Sequence, residues 1–178
     1  VNGIRLREEW RGTFNRFPNE NKWGSLKMKS EGASIPGNLQ INFNKDGGLN
    51  DLSLKRLDGS ITLKPNLNSF EWNADKFRLD RVEVAFSQEK SFKRIFGQLT
   101  GNGTFSFAPI FVKGDLTLDY PRLLGLKLRK ATIKGQIQNL KTNLIGELIP
   151  SDNGRILFDI NKESEFSLNA NVEDVSSS

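Results

Sequence analysis

Apolar and polar residues alternate with period two along most of the chain, the pattern of a strand with one apolar and one polar face. Leu26 and Met28 open the series, followed by Leu39, Ile41 and Phe43, then Leu52 and Leu54, then Ile61 and Leu63. Phe77 and Leu79, and Val82, Val84 and Phe86, come next. Phe105 and Phe107, Leu116, Leu118 and Tyr120, Ile156, Phe158 and Ile160, and finally Phe166, Leu168, Ala170 and Val172 complete it. Helical periodicity is nearly absent. The one helix candidate is Pro121–Arg122–Leu123–Leu124, a single turn that Gly125 ends. No composition break interrupts the pattern from Gly24 to Val172, so residues 1–178 read as a single all-β segment.

Turn chemistry punctuates the strands. Asn2-Gly3, Asp46-Gly47, Asp58-Gly59, Asn102-Gly103 and Asn153-Gly154 are favoured hairpin pairs, because tight hairpin turns need positive φ. Pro36-Gly37 suits a type II turn. The apolar parity switches between Leu79 and Val82 and again between Phe111 and Val112, which predicts a bulge or turn at each. The spacing fits antiparallel meanders.

Hydrophobic residues make up only 36% of the chain, so any core must come from patterning and not from apolar bulk. The net charge of +5 is spread thinly. Its cations alternate with apolar residues, as in Lys27–Met28–Lys29 and Leu126–Lys127–Leu128–Arg129, and belong to a solvated outer face, not to a nucleic-acid site. With no Cys and no His, disulfides are excluded and the usual zinc, haem and iron ligands are missing. No stretch approaches the roughly 20 apolar residues of a membrane helix, and no signal peptide opens the chain. The start at Val1 and the Ser176–Ser177–Ser178 ending suggest a piece of a longer repetitive protein.

A repeated unit, Gly-x-Φ-x-Φ with Φ apolar, carries the most information. It occurs at Gly24-Ser-Leu-Lys-Met, Gly37-Asn-Leu-Gln-Ile, Gly59-Ser-Ile-Thr-Leu, Gly103-Thr-Phe-Ser-Phe, Gly114-Asp-Leu-Thr-Leu and Gly154-Arg-Ile-Leu-Phe, with degenerate copies at Gly97, Gly135 and Gly146. Glycine permits a turn or bulge at the strand start, and the two Φ side chains then share a face. Repetition stacks them into one apolar stripe.

These Gly-led starts, the Asn/Asp-Gly turns, and the run Gly97-Gln-Leu-Thr-Gly-Asn-Gly-Thr-Phe-Ser-Phe followed by Gly114-Asp-Leu-Thr-Leu resemble the TamB/AsmA-like family of inter-membrane translocation and assembly proteins. The resemblance spans most of the chain and transfers no catalytic or ligand residue. It implies a long, curved, antiparallel sheet, taco-like, with an apolar interior that accommodates phospholipid acyl chains. It further implies a periplasmic body, an inner-membrane anchor and an outer-membrane assembly partner of the TamA type. Leu39, Ile41, Phe43, Ile61, Leu63, Phe105, Phe107, Leu116, Leu118, Ile156, Phe158 and Ile160 are the expected lining residues.

Other chemistry is thin. No Ser/His/Asp or Cys/His set can form, and no nucleophile elbow, dinucleotide fingerprint or P-loop is present. Asp115 and Asp119 lie about 13 Å apart along one strand, too far for a paired acid and base, and are expected to face Lys or Arg in solvent. Glu8-Glu9 reads as surface. Phe92-Lys-Arg-Ile-Phe96 mixes aromatics with cations, but an irregular hairpin with one tucked phenylalanine fits it better than a base-stacking or membrane surface.

No enzyme and no cofactor is expected. The reading is a lipid-conducting or assembly-assisting β-groove, against a closed β-sandwich interaction module and an outer-membrane barrel, the last disfavoured by one Tyr against 13 Phe. The period-two pattern predicts a far-UV circular dichroism spectrum with helix below about 10%. Helix near one third would overturn the fold class.

Overall fold

The alternating segments become strands, and pairing in register assembles them. The computed structural model describes residues 3–6, 8–17, 22–31, 36–80, 82–85, 93–123, 126–139, 141–163 and 165–173. Its strands are β1 (Gly3–Leu6), β2 (Glu9–Arg16), β3 (Lys22–Glu31), β4 (Gly37–Asn44), β5 (Leu49–Arg56), β6 (Gly59–Asn66), β7 (Ser69–Arg78), β8 (Val82–Ala85), β9 (Lys93–Arg94), β10 (Phe96–Phe107), β11 (Ile110–Leu123), β12 (Leu126–Gln138), β13 (Lys141–Pro150), β14 (Arg155–Lys162) and β15 (Phe166–Glu173). Among the described residues there is no helix. Pro121–Leu123 of the helix candidate are instead the end of β11, where Arg122 pairs with Lys127 and Leu123 with Leu126, while Leu124 and Gly125 lie outside the described residues.

Twelve strands form one antiparallel sheet in the order β15-β14-β13-β12-β11-β10-β7-β6-β5-β4-β3-β2. Each strand but one pairs with its neighbour in sequence. The exception lies between β7 and β10, where the chain leaves the sheet and β1, β8 and β9 make a separate three-stranded sheet. The large sheet is neither closed nor strongly curled, so the taco-like curl implied by the resemblance is not a property of this segment.

Antiparallel residues directly opposite one another share a face, and two rows of them cross the whole sheet. One row runs Phe14, Leu26, Ile41, Leu52, Leu63, Trp72, Gly103, Gly114, Gly135, Leu144, Ile160, Leu168. The adjacent row runs Gly12, Met28, Leu39, Leu54, Ile61, Ala74, Gly101, Leu116, Ile133, Gly146, Phe158, Ala170. Neither row contains a polar side chain. At about 4.8 Å between strands they extend about 50 Å.

The turns correct several expectations. Asp46-Gly47 does turn, with Asn44 Oδ1 accepting from the Asp46 and Gly48 N–H groups at 3.0 and 2.8 Å and Gly47 at φ 80°. Asn153 and Gly154 both take positive φ, at 84° and 94°. The β5–β6 turn centres one residue earlier than expected, on Leu57-Asp58, because Gly59 already pairs with Arg56. Asn102-Gly103 is no turn at all: it sits inside β10, paired on both sides. No bulge interrupts Phe111–Val112, since β10 and β11 pair without a break there. Phe111 simply points to the polar face. The chain does turn between Leu79 and Val82, with Val82 N–H donating to the Leu79 carbonyl at 2.8 Å. Of the remaining turn pairs, Asn2 lies outside the described residues, and Gly37 opens β4 with its N–H donating to the buried Ser30 Oγ at 2.6 Å.

Many glycines do something other than turn. Gly103 and Gly114 lie opposite each other beside Trp72, and an added Cβ would stand 2.8 and 2.9 Å from the indole. The missing side chains leave a floor on which the ring lies flat, the cross-strand covering of glycine by an aromatic that sheets use to keep such positions stable.

Enclosed core is small. Leu54, Ala74, Phe77, Leu79 and Val82 form it, with Trp10, Leu39, Ile61, Trp72, Ile95, Leu99 and Leu118 packed against it. It lies where Leu79, Val82 and Ile95 pack against one margin of the apolar face. At that margin Arg56 and Glu8 form a two-pronged ion pair at 2.5 and 2.8 Å. Their side chains are 2% and 1% exposed, so Glu8 is not the surface residue expected. Trp10 lies beside the guanidinium, 5.8 Å from ring centroid to Arg56 Cζ.

Removing one partner of a buried pair strands the other charge. Glu8→Leu leaves the Arg56 guanidinium buried, and is expected to cost about 3–5 kcal/mol by urea unfolding. Arg11→Ala, which breaks the exposed Arg11–Glu31 pair at 3.2 Å, should cost under about 1 kcal/mol. Equal losses would contradict this assignment.

Candidate functional site: the apolar face

The feature with functional potential is a surface. All twelve residues expected to line the groove fall on one face of the sheet. Ile41, Leu63 and Ile160 are in the first row and Leu39, Ile61, Leu116 and Phe158 in the second. Phe43 and Phe105 stand one step beyond the first row, each sharing that side with its strand neighbours, and Phe107 extends it. Leu118 and Ile156 stand one step beyond the second row.

This face is largely uncovered. Among the described residues only six hydrophobic side chains are buried. Phe107 is 76% exposed and Phe14 46%, while most of the row residues are half-buried. The chain exposes 12102 Å², whereas a compact chain of 20.1 kDa would expose roughly 8,700 Å². The excess, about 3,400 Å², is what a single layer that leaves both of its faces open exposes.

Two aromatic clusters stand along one margin. Phe14, Trp23 and Phe43 pack with ring centroids 5.3–6.1 Å apart. Phe70, Phe105 and Phe107 do the same at 5.3–6.1 Å. Alternation places Phe43, Phe105 and Phe107 on this face but not their partners Phe14, Trp23 and Phe70: Trp23 and Phe70 sit at strand ends where alternation is too short to assign a face, and Gly12 interrupts the alternation that leads to Phe14. It also leaves out Trp72, Ala74, Ile133 and Leu144 of the rows, and the row glycines, since a face made of glycine leaves no apolar residue to count.

The opposite face is polar. Asp115 meets Lys134 at 3.4 Å and Asp119 faces Lys130 in register, as ordinary solvated pairs. Phe111, Ile145, Ile149 and Leu157 are apolar exceptions on it. A half-open hollow of about 600 Å³ lies on this side, lined by Lys113, Asp115, Lys134 and Gln136 among others. It lies over the neighbouring glycines Gly103, Gly114 and Gly135. In the Phe92–Phe96 segment Ile95 is the residue that packs inward and Phe96 is 38% exposed; Phe92 lies outside the described residues. Among the described residues no cluster of acidic side chains could hold a metal ion, and no helix is long and apolar enough to cross a membrane.

Neither a family model, nor a curated protein, nor a solved structure matches the chain.

An exposed and an enclosed position should respond oppositely to charge. Phe107→Asp keeps its carboxylate in water and should lower stability by less than about 1.5 kcal/mol, while Leu54→Asp, 8% exposed, should cost at least about 3 kcal/mol or prevent folding. Thermal melts of the two variants check this. Collapse of the Phe107 variant would mean that a second layer covers the apolar face.

Proposed function

We propose that this chain is a section of an amphipathic β-sheet that holds lipid acyl chains on its apolar face. The observation that carries the reading is the pair of unbroken apolar rows, two residues from each of twelve strands, left without a covering layer across most of their length. Each methylene moved from water onto such a surface contributes up to about 0.8 kcal/mol when fully buried. The rows, at about 50 Å, exceed the hydrocarbon thickness of a bilayer, about 30 Å. Holding or passing lipid in this way is passive. It needs no nucleophile, cofactor or metal, and we read the chain as non-enzymatic.

The resemblance to TamB/AsmA-like proteins points the same way. On that reading the lipid is phospholipid, the location is the periplasm, the full-length protein is anchored in the inner membrane, and a TamA-type protein of the outer membrane is its assembly partner. The taco-like groove of that family would arise here by further curling of the sheet around its cargo or by contact with neighbouring sheet. The open single layer fits a closed sandwich or a closed barrel less well.

Native mass spectrometry of protein purified without detergent tests the proposal. The expected result is bound phospholipid, lost in Leu116→Asp on the apolar face and retained in Thr117→Asp on the polar face. Absence of lipid even after incubation with phospholipid vesicles, or equal loss in both variants, would overturn it.

A further inference from the structure

Another half-open hollow of the polar face, about 560 Å³, spans β2 to β5. Four cations line it, Arg11, Lys27, Lys29 and Lys55, against one carboxylate, Asp51. Pairing in register sets Arg11 directly opposite Lys29, and Lys55 further along the same line, across Asn38. Like charges directly opposite one another destabilise a sheet. Three other lysines of this face are matched: Lys64 faces Glu71, Lys134 faces Asp115 and Lys130 faces Asp119. Around the hollow the carboxylates are engaged or lie past its end. Asp51 accepts from Asn42 at 2.8 Å and from Asn50 at 2.7 Å. Glu31 pairs with Arg11, and Glu9 faces Glu31 beyond the hollow. Lys27, Lys29 and Lys55 have no ion-pair partner among the described residues.

We propose that this hollow is a binding site for a phosphate-bearing anion. Lys27 stands two residues from Lys29 on β3, about 7 Å along the strand, so three unpartnered ammonium groups border one space. Ammonium groups are compact charged donors suited to phosphate oxygens. Thr13, Gln40 and Ser53 lie in one line with Lys27 across the four strands and add hydroxyl and amide donors. An anion set among the cations removes their repulsion, so the local cost carried by the free sheet is recovered on binding, as at other sites where function is kept against stability. The space exceeds a single phosphate group, which favours a diphosphate or a phosphate carried on a larger body such as a lipid headgroup. No aromatic side chain lines the hollow, so nucleic-acid bases would find nothing to stack on. The backbone layer separates it from the apolar rows, and an acyl chain lying on those rows cannot set its own headgroup here. This inference goes beyond the lipid reading and does not depend on it.

Isothermal titration calorimetry of the full chain with pyrophosphate in low-salt buffer tests the site. Saturable binding is expected, weakened at least about tenfold in Lys29→Gln and less than about twofold in Lys141→Gln, the same charge change on distant β13. Without ligand, Lys29→Gln should melt at a higher temperature than the unmodified chain, because Arg11 loses the charge opposed to it. Co-sedimentation with phosphatidylglycerol vesicles identifies the source of the phosphate. Vesicle binding that pyrophosphate displaces and Lys29→Gln removes assigns the site to a lipid headgroup. Pyrophosphate binding, with vesicle binding indifferent to both, assigns it to a soluble phosphate compound. Equal weakening by Lys29→Gln and Lys141→Gln would mean diffuse attraction by net charge and would overturn the proposal. So would the absence of Lys29-dependent binding of either probe, or a lower melting temperature of ligand-free Lys29→Gln.

Discussion

Side chains two apart on a strand share a face, and antiparallel pairing in register passes that face on unchanged to the next strand. Twelve strands obey this without a slip in the two central rows, and the rest of the molecule follows. One face is apolar from edge to edge and the other is polar. A single slip by one residue would have mixed them. The bulges that do occur, at Phe96/Gln98, Leu99/Gly101, Lys22/Gly24, Asn42/Phe43 and Leu128/Lys130, leave the pairing within those rows intact, the one at Leu99/Gly101 ending at the second row.

A single layer cannot bury its own apolar face. Here Leu79, Val82 and Ile95 pack over one margin, and the Arg56–Glu8 pair stands at that margin. Such a pair is poor evidence for added stability, because desolvating two charges offsets much of their attraction. It does fix geometry: Glu8 lies between β1 and β2, so the pair ties the start of the large sheet to the end of β5. Elsewhere the face is held only by packing between neighbouring strands and by aromatic rings lying over glycines. Stability is therefore local in character, spread as strand-to-strand contacts along the sheet and not concentrated in one core.

The strands and the side chains that share a face were legible in the sequence because period two is a local signal, readable from Leu39, Ile41 and Phe43 without any knowledge of partners. The shape of the sheet was not. Curl depends on twist and on what the apolar face packs against, and neither leaves a mark on the alternation of one strand. Asn102-Gly103 misled for a related reason. A pair favoured in tight turns is equally suited to a strand interior when the neighbouring Trp72 needs a flat floor. Glu8 misled because its partner is 48 residues away, and no local pattern announces a buried ion pair.

The central claim, that lipid occupies the apolar face and only that face, is tested most directly by photolabelling. A photoactivatable phospholipid is bound to the protein, and its attachment sites along Ile110–Leu123 are mapped by mass spectrometry. The account predicts labelling at Val112, Leu116 and Leu118 and none at Lys113, Asp115 and Thr117. Labelling without this alternation, or confined to the polar positions, would contradict it.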